Sequence, residues 1–201
     1  MPGRGSTKSE ATRAAAIYEK NDLDKYQRKL GISPASQALI KSIVEVNIGE
    51  KAPFFSLRSF DKSEVYLDQY QGKIVVLLFF PLAFSSVCTK ELCQVQDEFP
   101  DFQALHAEVI ALSVDSLYTL NKFREMHGYT FNLLSDFNKE VSRSYGALHE
   151  DFGLGMKGVS KRAVFIIDKN GMIRHKEILD TPGEMPDFNK VRKILEEINL
   201  V

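Results

Sequence analysis

The stretch KIVVLLFFPLAFSSVC, residues 73–88, decides the fold of this chain. After its lysine it is a continuous run of β-branched, leucine and phenylalanine side chains, which is typical of a central strand buried on both faces of a sheet. Pro81 ends the strand, because proline lacks the N–H that a sheet ladder needs. We predict a loop after it and a helix that begins near Ser85 or Ser86.

Strands and helices alternate along the rest of the chain. Three further strands are predicted from apolar or β-branched runs: 107–114, 162–168 and 172–178. The last two flank a short turn with glycine, 169–171, which favours a hairpin. Helices are predicted at 86–105, 116–128, 138–147 and 187–198. Pro100 should kink or split the first helix, and Gly128 should end the second. This order predicts an α/β protein, with a central mixed β-sheet flanked by helices on both faces.

The first 45 residues differ in composition from the remainder and are predicted to form an extension. Residues 1–10 are typical of a disordered tail, whereas 11–30 are rich in Ala, Lys, Glu and Leu and favour a helix. A second helix is predicted from Pro34, because proline suits a first helical position and apolar residues follow at helical spacing. Its apolar face either packs on its own domain or contacts a partner. We therefore expect a partly disordered, then helical extension over 1–45 and one domain over 46–201.

Composition and charge exclude several classes of protein. The net charge of −1 at pH 7 offers no basic surface for nucleic acid or for an acidic membrane. The longest apolar run covers 11 residues, 74–84, about half of what a membrane-spanning helix needs. The N-terminus lacks the apolar core of a secretory signal. Two cysteines are too few for a secreted disulfide scaffold and suit a reducing compartment. We therefore expect a cytoplasmic protein that binds neither nucleic acid nor membrane.

Both cysteines lie in the predicted helix that follows the central strand. Cys88 falls in the first turn, where free N–H groups and the positive end of the helix dipole stabilise a thiolate. The thiolate is the nucleophilic form of cysteine. Position alone is equally consistent with a small buried apolar side chain, so both interpretations stay open at this point.

The spacing of the two cysteines limits what they can do together. A step of five residues on an α-helix places the Cα atoms of Cys88 and Cys93 roughly 8.7 Å apart, whereas a disulfide needs less than about 7 Å. A bond between them would therefore require the first turns of the helix to unwind. A zinc site is disfavoured, because the four histidines are scattered along the chain: 106, 127, 149 and 175.

The cysteine-containing stretch resembles a known family motif. PLAFSSVC is similar to the peroxiredoxin motif P-x-x-x-T/S-x-x-C. CTKELC resembles the C-x-x-x-x-C spacing of the Q-type branch (bacterioferritin comigratory proteins), which is close to the one-cysteine AhpE-like enzymes. Further similarities follow in the family's order: an opening strand at 48–57, landmarks at 111–116 and 131–136, and the strand of the family arginine at 161–171. The chain thus resembles the AhpC/TSA superfamily over residues 46–200.

This resemblance implies a thioredoxin-like fold and roles for individual residues. Cys88 corresponds to the cysteine that attacks peroxide. Ser85 takes the place of a threonine whose hydroxyl bonds the thiolate and the peroxide, and Pro81 shapes and shields the loop. Arg162 corresponds to the arginine that holds the thiolate and the peroxide oxygens, a task suited to its fixed fork of donors.

The same resemblance implies the reaction. Cys88 reduces hydrogen peroxide or an organic hydroperoxide and becomes a sulfenic acid, and Cys93 condenses with it to an intramolecular disulfide. A thioredoxin- or glutaredoxin-like protein reduces that disulfide by exchange. No metal, haem, flavin or other cofactor is implied, and a monomer or a homodimer is expected. Glu91 either orients the arginine or is a surface charge, and Lys161 is expected to be a solvated charge.

Three alternatives stay open. In the first, Cys93 is a bystander and an external thiol attacks the sulfenic acid directly. In the second, the protein is a redox sensor or holdase whose oxidation exposes the unwound helix to a client. The third is a cysteine hydrolase, which needs a histidine base within reach of Cys88.

Overall fold

The computed structural model describes residues 46–153 and 155–200. Their nine strands are β1 Ser56–Ser59, β2 Glu64–Tyr66, β3 Ile74–Phe79, β4 Ala107–Ser113, β5 Asn132–Ser135, β6 Leu148–His149, β7 Val159–Ser160, β8 Arg162–Ile167 and β9 Ile173–Leu179. The α-helices are α1 Ser86–Asp97, α2 Phe99–Ala104, α3 Leu117–His127, α4 Glu140–Ser144 and α5 Phe188–Asn199, with a short 3₁₀ helix at Leu67–Tyr70. The predicted extension over 1–45 lies outside the described residues, so its helices and the boundary at residue 46 stay predictions.

Seven of the strands form one mixed sheet in the order β2-β1-β5-β4-β3-β8-β9. β3 pairs in parallel with β4, and β4 pairs in parallel with β5, whereas the other neighbours are antiparallel. β6 and β7 form a separate two-stranded sheet. The four strands predicted from apolar runs are confirmed and lie side by side, and β8 and β9 form the predicted hairpin.

β3 is buried along its whole length, as its continuous apolar sequence predicts. Alternate side chains of the strand enter two different apolar cores, because successive residues point to opposite faces of a sheet. The first core is covered by α1, α2, α3 and α5, through residues such as Leu92, Phe102, Phe123 and Val191. The second is covered by α4, the 3₁₀ helix and the segment before β1, through residues such as Val141, Leu67 and Phe55. Helices therefore flank both faces of the sheet.

Local signals explain where most helices begin and end. α1 ends at Asp97 and α2 begins at Phe99, so Pro100 splits the predicted helix from a first-turn position where its missing N–H is tolerated. α3 ends at His127, and Gly128 caps it with a φ of 70°, the left-handed conformation that glycine adopts without strain. α4 is shorter than the predicted 138–147, because left-handed residues bound it, Lys139 at φ 66° and Gly146 at φ 68°.

The position predicted for the opening strand is wrong. The resemblance placed it at 48–57, but β1 begins at Ser56. The preceding residues instead pair with the β8–β9 hairpin, where the Ala52 N–H donates to the Gly171 carbonyl at 2.9 Å. Pro53, which has no N–H, follows and breaks any regular ladder there.

Within the described residues, every helix is too short or too polar to cross a membrane.

Candidate active site

The loop of residues 81–85, between β3 and α1, is fixed by two neighbouring elements. The Ala83 N–H donates to the Asp115 carboxylate, which follows β4, at 2.7 Å. Phe84 adopts a φ of 65° and packs its ring against Phe123 of α3, with centroids 4.9 Å apart. A non-glycine residue with positive φ persists only where the surroundings enforce it. The loop is therefore held in one conformation as it enters α1.

Cys88 lies in the first turn of α1 and is 1% exposed. Ser85 is the N-cap, and the N–H of Thr89 donates to its carbonyl at 2.9 Å. The N–H groups of the three residues before Thr89, including that of Cys88, therefore have no acceptor within the helix. These groups and the helix dipole favour negative charge at the Cys88 sulfur.

Arg162 is buried directly against Cys88. It is the first residue of β8 and is 1% exposed. Its Nη2 lies 3.5 Å from Cys88 Sγ and also donates to the Pro182 carbonyl at 3.0 Å. Its Nη1 donates to the Glu91 carboxylate on the next turn of α1. The structure thus brings together two residues that are 74 positions apart in the sequence.

Glu91 is fully buried and forms an ion pair with Arg162. The interpretation of Glu91 as a surface charge is therefore wrong, because this residue lies on the face of α1 that packs on the sheet. Burial raises the pKa of its carboxyl to about 7, and the Arg162 guanidinium opposes that shift. Among the described residues, Glu91 Oε1 has no hydrogen-bond partner. Because the Glu91 carboxylate accepts from Nη1, the other terminal nitrogen of the guanidinium, Nη2, faces the Cys88 sulfur.

The other two predicted site residues that precede Cys88, Ser85 and Pro81, lie in the loop between β3 and α1. The Ser85 hydroxyl donates to the Leu82 carbonyl at 2.9 Å. Pro81 is buried at the end of β3. Lys161, next in sequence to the buried arginine, is part-buried with its side chain 22% exposed, and its charge pairs with the exposed Asp180.

Cys93 lies on the same unbroken helix as Cys88, and both are free thiols. Cys93 is half-buried, and its Sγ lies 3.6 Å from the hydroxyl of Tyr129. The two cysteines therefore have the α-helical spacing from which their Cα separation of roughly 8.7 Å was estimated. The two sulfurs cannot bond in this conformation.

Sequence reasoning assigned no role to Asp115 or Tyr129. Asp115 falls within the resembling stretch 111–116, but only the fold shows that its carboxylate reaches the loop. Tyr129 lies 36 residues from Cys93, and no spacing rule links the end of α3 to the middle of α1.

The buried Glu91 predicts a pH dependence of stability. Its raised pKa means that the folded protein binds this proton more tightly than the unfolded chain does. Its contribution to the free energy of unfolding should therefore fall as the pH rises from 4.5 to about 7. The fall should amount to as much as about 3 kcal/mol. The measurement is urea unfolding of the reduced protein at a series of pH values, alongside Glu91→Gln.

The informative quantity is the difference in unfolding free energy between the wild-type protein and Glu91→Gln. Other titrating groups, such as His175 and Asp136, are present in both and cancel. The difference should decline through this pH range and stay level on either side. A difference that rises with pH would show that the ion pair with Arg162 outweighs burial and lowers the pKa of the Glu91 carboxyl.

The family model and the curated relatives that this chain matches point to the same family. The model of the AhpC/TSA family matches residues 48–176. Alkyl hydroperoxide reductase E of Mycobacterium tuberculosis is 39% identical over 145 residues, which cover 71% of this chain and 91% of that protein. The mitochondrial thioredoxin-dependent peroxide reductase of Bos taurus is 37% identical over 145 residues, covering 67% of this chain and 54% of that protein.

Solved structures agree with the family match. The reduced 2-Cys peroxiredoxin of Plasmodium vivax superposes with a TM-score of 0.68 at 31% identity, covering 76% of this chain and 82% of the other. Peroxidoxin BcpB of Mycobacterium tuberculosis superposes with a TM-score of 0.68 at 25% identity, covering 77% and 99%. The predicted fold class is therefore confirmed.

Proposed function

Because this chain belongs to the AhpC/TSA family of peroxiredoxins, which are thiol-dependent peroxidases, we propose that Cys88 attacks the peroxide and Cys93 resolves the product. The observation that carries the proposal is the buried Cys88 sulfur at the N-terminus of α1, 3.5 Å from Nη2 of Arg162. A cation and a helix N-terminus both favour the thiolate, the form that attacks. The substrates are hydrogen peroxide and organic hydroperoxides.

In the first step, the Cys88 thiolate attacks one oxygen of the peroxide. A sulfur–oxygen bond forms as the O–O bond breaks, and the second oxygen leaves as hydroxide or an alkoxide, which takes up a proton from solvent to become water or an alcohol. Cys88 is oxidised to the sulfenic acid, and the peroxide is reduced.

Three neighbours of Cys88 assist this displacement. Arg162 faces the sulfur with one nitrogen and is held by Glu91 with the other, so its donors are in place before the peroxide arrives. Such preorganised donors stabilise the charge that develops along the O–O bond. The Ser85 hydroxyl rotates away from Leu82 to donate to a peroxide oxygen. Pro81 shields the thiol from water.

In the second step, the Cys93 sulfur attacks the sulfenic acid sulfur. The S–S bond forms, the S–O bond breaks and water leaves. Because both residues lie on α1, its first turns must unwind for this step. A thioredoxin- or glutaredoxin-like dithiol then reduces the disulfide by exchange. The mitochondrial relative is named for its dependence on thioredoxin, which supports this choice of reductant.

A one-cysteine mechanism is the second candidate, because Cys93 lies half-buried in an intact helix. In that mechanism an external thiol attacks the sulfenic acid. The hydrolase alternative finds no support in the part of the chain that the structure describes, where Cys88 has an arginine and no histidine as its hydrogen-bond partner.

Cys93→Ser distinguishes the two mechanisms. We expect the first oxidation of Cys88 to keep its wild-type rate, because Cys93 lies on another face of α1. Turnover with thioredoxin should fall at least about tenfold, because no internal disulfide can form for the reductase to recognise. The measurement is thioredoxin-coupled consumption of peroxide, with stopped-flow oxidation of the reduced protein in parallel.

A small dithiol serves as the control in that assay. It reaches the sulfenic acid directly and should keep Cys93→Ser turning over. Wild-type cycling of Cys93→Ser with thioredoxin would remove the resolving role and leave the one-cysteine mechanism. Oxidation that stops after one equivalent in the wild-type protein, whichever reductant is supplied, would favour the sensor or holdase.

The cytoplasmic location and the monomeric or homodimeric state stay predictions. Size-exclusion chromatography with light scattering of the reduced protein measures the oligomeric state.

A further inference from the structure

Cys93 lies beside Tyr129, a residue that the reaction described above does not use. The Cys93 sulfur is 3.6 Å from the Tyr129 hydroxyl. The same hydroxyl donates a long hydrogen bond of 3.5 Å to the backbone carbonyl of Thr89. In an α-helix, that carbonyl also accepts the N–H of Cys93. One phenol therefore contacts both the sulfur and the backbone of the turn that carries Cys93.

Neighbouring rings fix the position of Tyr129, which is 1% exposed. Its ring stacks on His127 and on Phe131, each with centroids 5.4 Å apart, and meets the edge of Phe123 at 5.3 Å. We call these four residues the aromatic cluster. Because the cluster is packed between α3 and β5, the Tyr129 hydroxyl cannot follow Cys93 when α1 unwinds.

The aromatic cluster also holds the segments on either side of α1. Phe84, in the loop before α1, packs on Phe123 at 4.9 Å. Phe99, at the start of α2, packs on Phe131 at 6.0 Å. Unwinding therefore takes place between two anchored points. The turn that must open is the one that Tyr129 contacts.

The phenol can act as donor or acceptor in its contact with Cys93. Burial raises the pKa of Tyr129, so the phenol is neutral and has a single proton to donate. Either that proton points to the Thr89 carbonyl and the phenol oxygen accepts from the Cys93 thiol, or it points to the Cys93 sulfur. In both arrangements the Cys93 sulfur contacts a side chain that is fixed outside α1.

We propose that Tyr129 is a positioning residue that holds the Cys93 side chain in its helical position, and that release of this contact limits the rate of disulfide formation. The inference rests on the proposed function, in which Cys93 resolves the sulfenic acid. As Cys93 leaves Tyr129, its sulfur forms the S–S bond, and the oxygen of the Cys88 sulfenic acid departs as water with the thiol proton. Slow release gives a second peroxide time to convert Cys88 to the sulfinic acid.

The test is Tyr129→Phe, which deletes the hydroxyl and keeps the ring. The matched control is Tyr145→Phe, because Tyr145 is also buried and donates one hydrogen bond, to the Pro53 carbonyl at 2.8 Å. It belongs to the apolar core on the other face of the sheet. Circular dichroism of both variants verifies that each is folded.

Reduced protein is mixed with hydrogen peroxide, quenched with acid at successive times and analysed by intact mass, which separates the sulfenic acid, the disulfide and the sulfinic acid. Tyr129→Phe should form the disulfide about threefold to tenfold faster than the wild-type protein, the size expected for one hydrogen bond. It should also accumulate less sulfinic acid. Tyr145→Phe should behave as wild type. Disulfide formation by Tyr129→Phe at the wild-type rate or slower overturns the proposal.

A second measurement does not depend on peroxide chemistry. In Cys88→Ser protein the remaining thiol is that of Cys93, so its alkylation by iodoacetamide reports how readily it leaves Tyr129. Adding Tyr129→Phe should raise that rate, and an unchanged rate overturns the proposal. Faster alkylation without faster disulfide formation also overturns it, because release would then not limit the reaction.

If the wild-type protein forms no internal disulfide, the resolving role of Cys93 fails, and with it the rate-limiting release. The alkylation rates then show separately whether Tyr129 holds Cys93.

Discussion

Cys88→Ser should abolish peroxidase turnover, with a loss of more than about 1,000-fold that leaves only the uncatalysed background. A serine hydroxyl is not ionised near neutral pH, so neither Arg162 nor the N-terminus of α1 has a nucleophile to stabilise. The substitution is nearly isosteric in a buried position, so the fold should persist. The measurement is peroxide consumption with a small dithiol as reductant, supported by circular dichroism.

Cys93→Ser is the matched control for this loss, because it makes the same chemical change five residues along the same helix. It should keep turning over with the small dithiol. Turnover that survives in Cys88→Ser but disappears in Cys93→Ser would reverse the assigned roles. Equal activity in both variants would mean that neither thiol is the essential nucleophile.

Much of this fold could be predicted from local sequence, because its centre carries strong local signals. β3 is apolar at every position, and Pro81 marks its end, so the strand and the following helix are both predictable. The same holds for the split at Pro100 and the end of α3 at Gly128. The short strands β1, β2, β6 and β7 carry no such signal. They have two to four residues each and depend on pairing partners that are distant in sequence.

The site residues that could be predicted are those in the stretches that resemble the family, namely the cysteine loop and the strand of Arg162. The cysteine loop is continuous in sequence, but Arg162 reaches it through sheet pairing. β8 runs antiparallel to β3 with Ala163 opposite Phe79, so Arg162 lies where β3 ends and the loop begins. The burial of Glu91 and the contact of Tyr129 with Cys93 depend on how α1 packs on the sheet and on α3. Neither is encoded in a local pattern.

Arg162→Ala should slow the oxidation of Cys88 by peroxide about 100-fold to 1,000-fold, the cost of removing a preorganised donor from a developing charge. The arginine makes three interactions from one fixed fork: with Cys88, Glu91 and the Pro182 carbonyl. Arg162→Lys keeps the charge but loses the fork, so its rate should lie between those of Arg162→Ala and the wild-type protein. The measurement is stopped-flow oxidation of the reduced protein at several peroxide concentrations.

Loss of Arg162 changes both the rate of attack on peroxide and the stability of the fold, so the two effects are measured separately. Arg162→Ala leaves the Glu91 carboxyl buried without its partner, and loss of the guanidinium raises the pKa of that carboxyl further, so it is neutral near pH 7 but unsatisfied, which costs about 1–3 kcal/mol of stability. Combining Arg162→Ala with Glu91→Gln replaces the ionisable group by a neutral one, so the stability of the double variant should no longer depend on this carboxyl while its oxidation stays slow. Lys161→Ala is the charge control, because it removes a neighbouring cation that pairs with Asp180 at the surface, and it should oxidise at the wild-type rate. A folded double variant that is oxidised as fast as the wild-type protein would show that Arg162 is a structural partner of Glu91 and takes no part in the attack on peroxide.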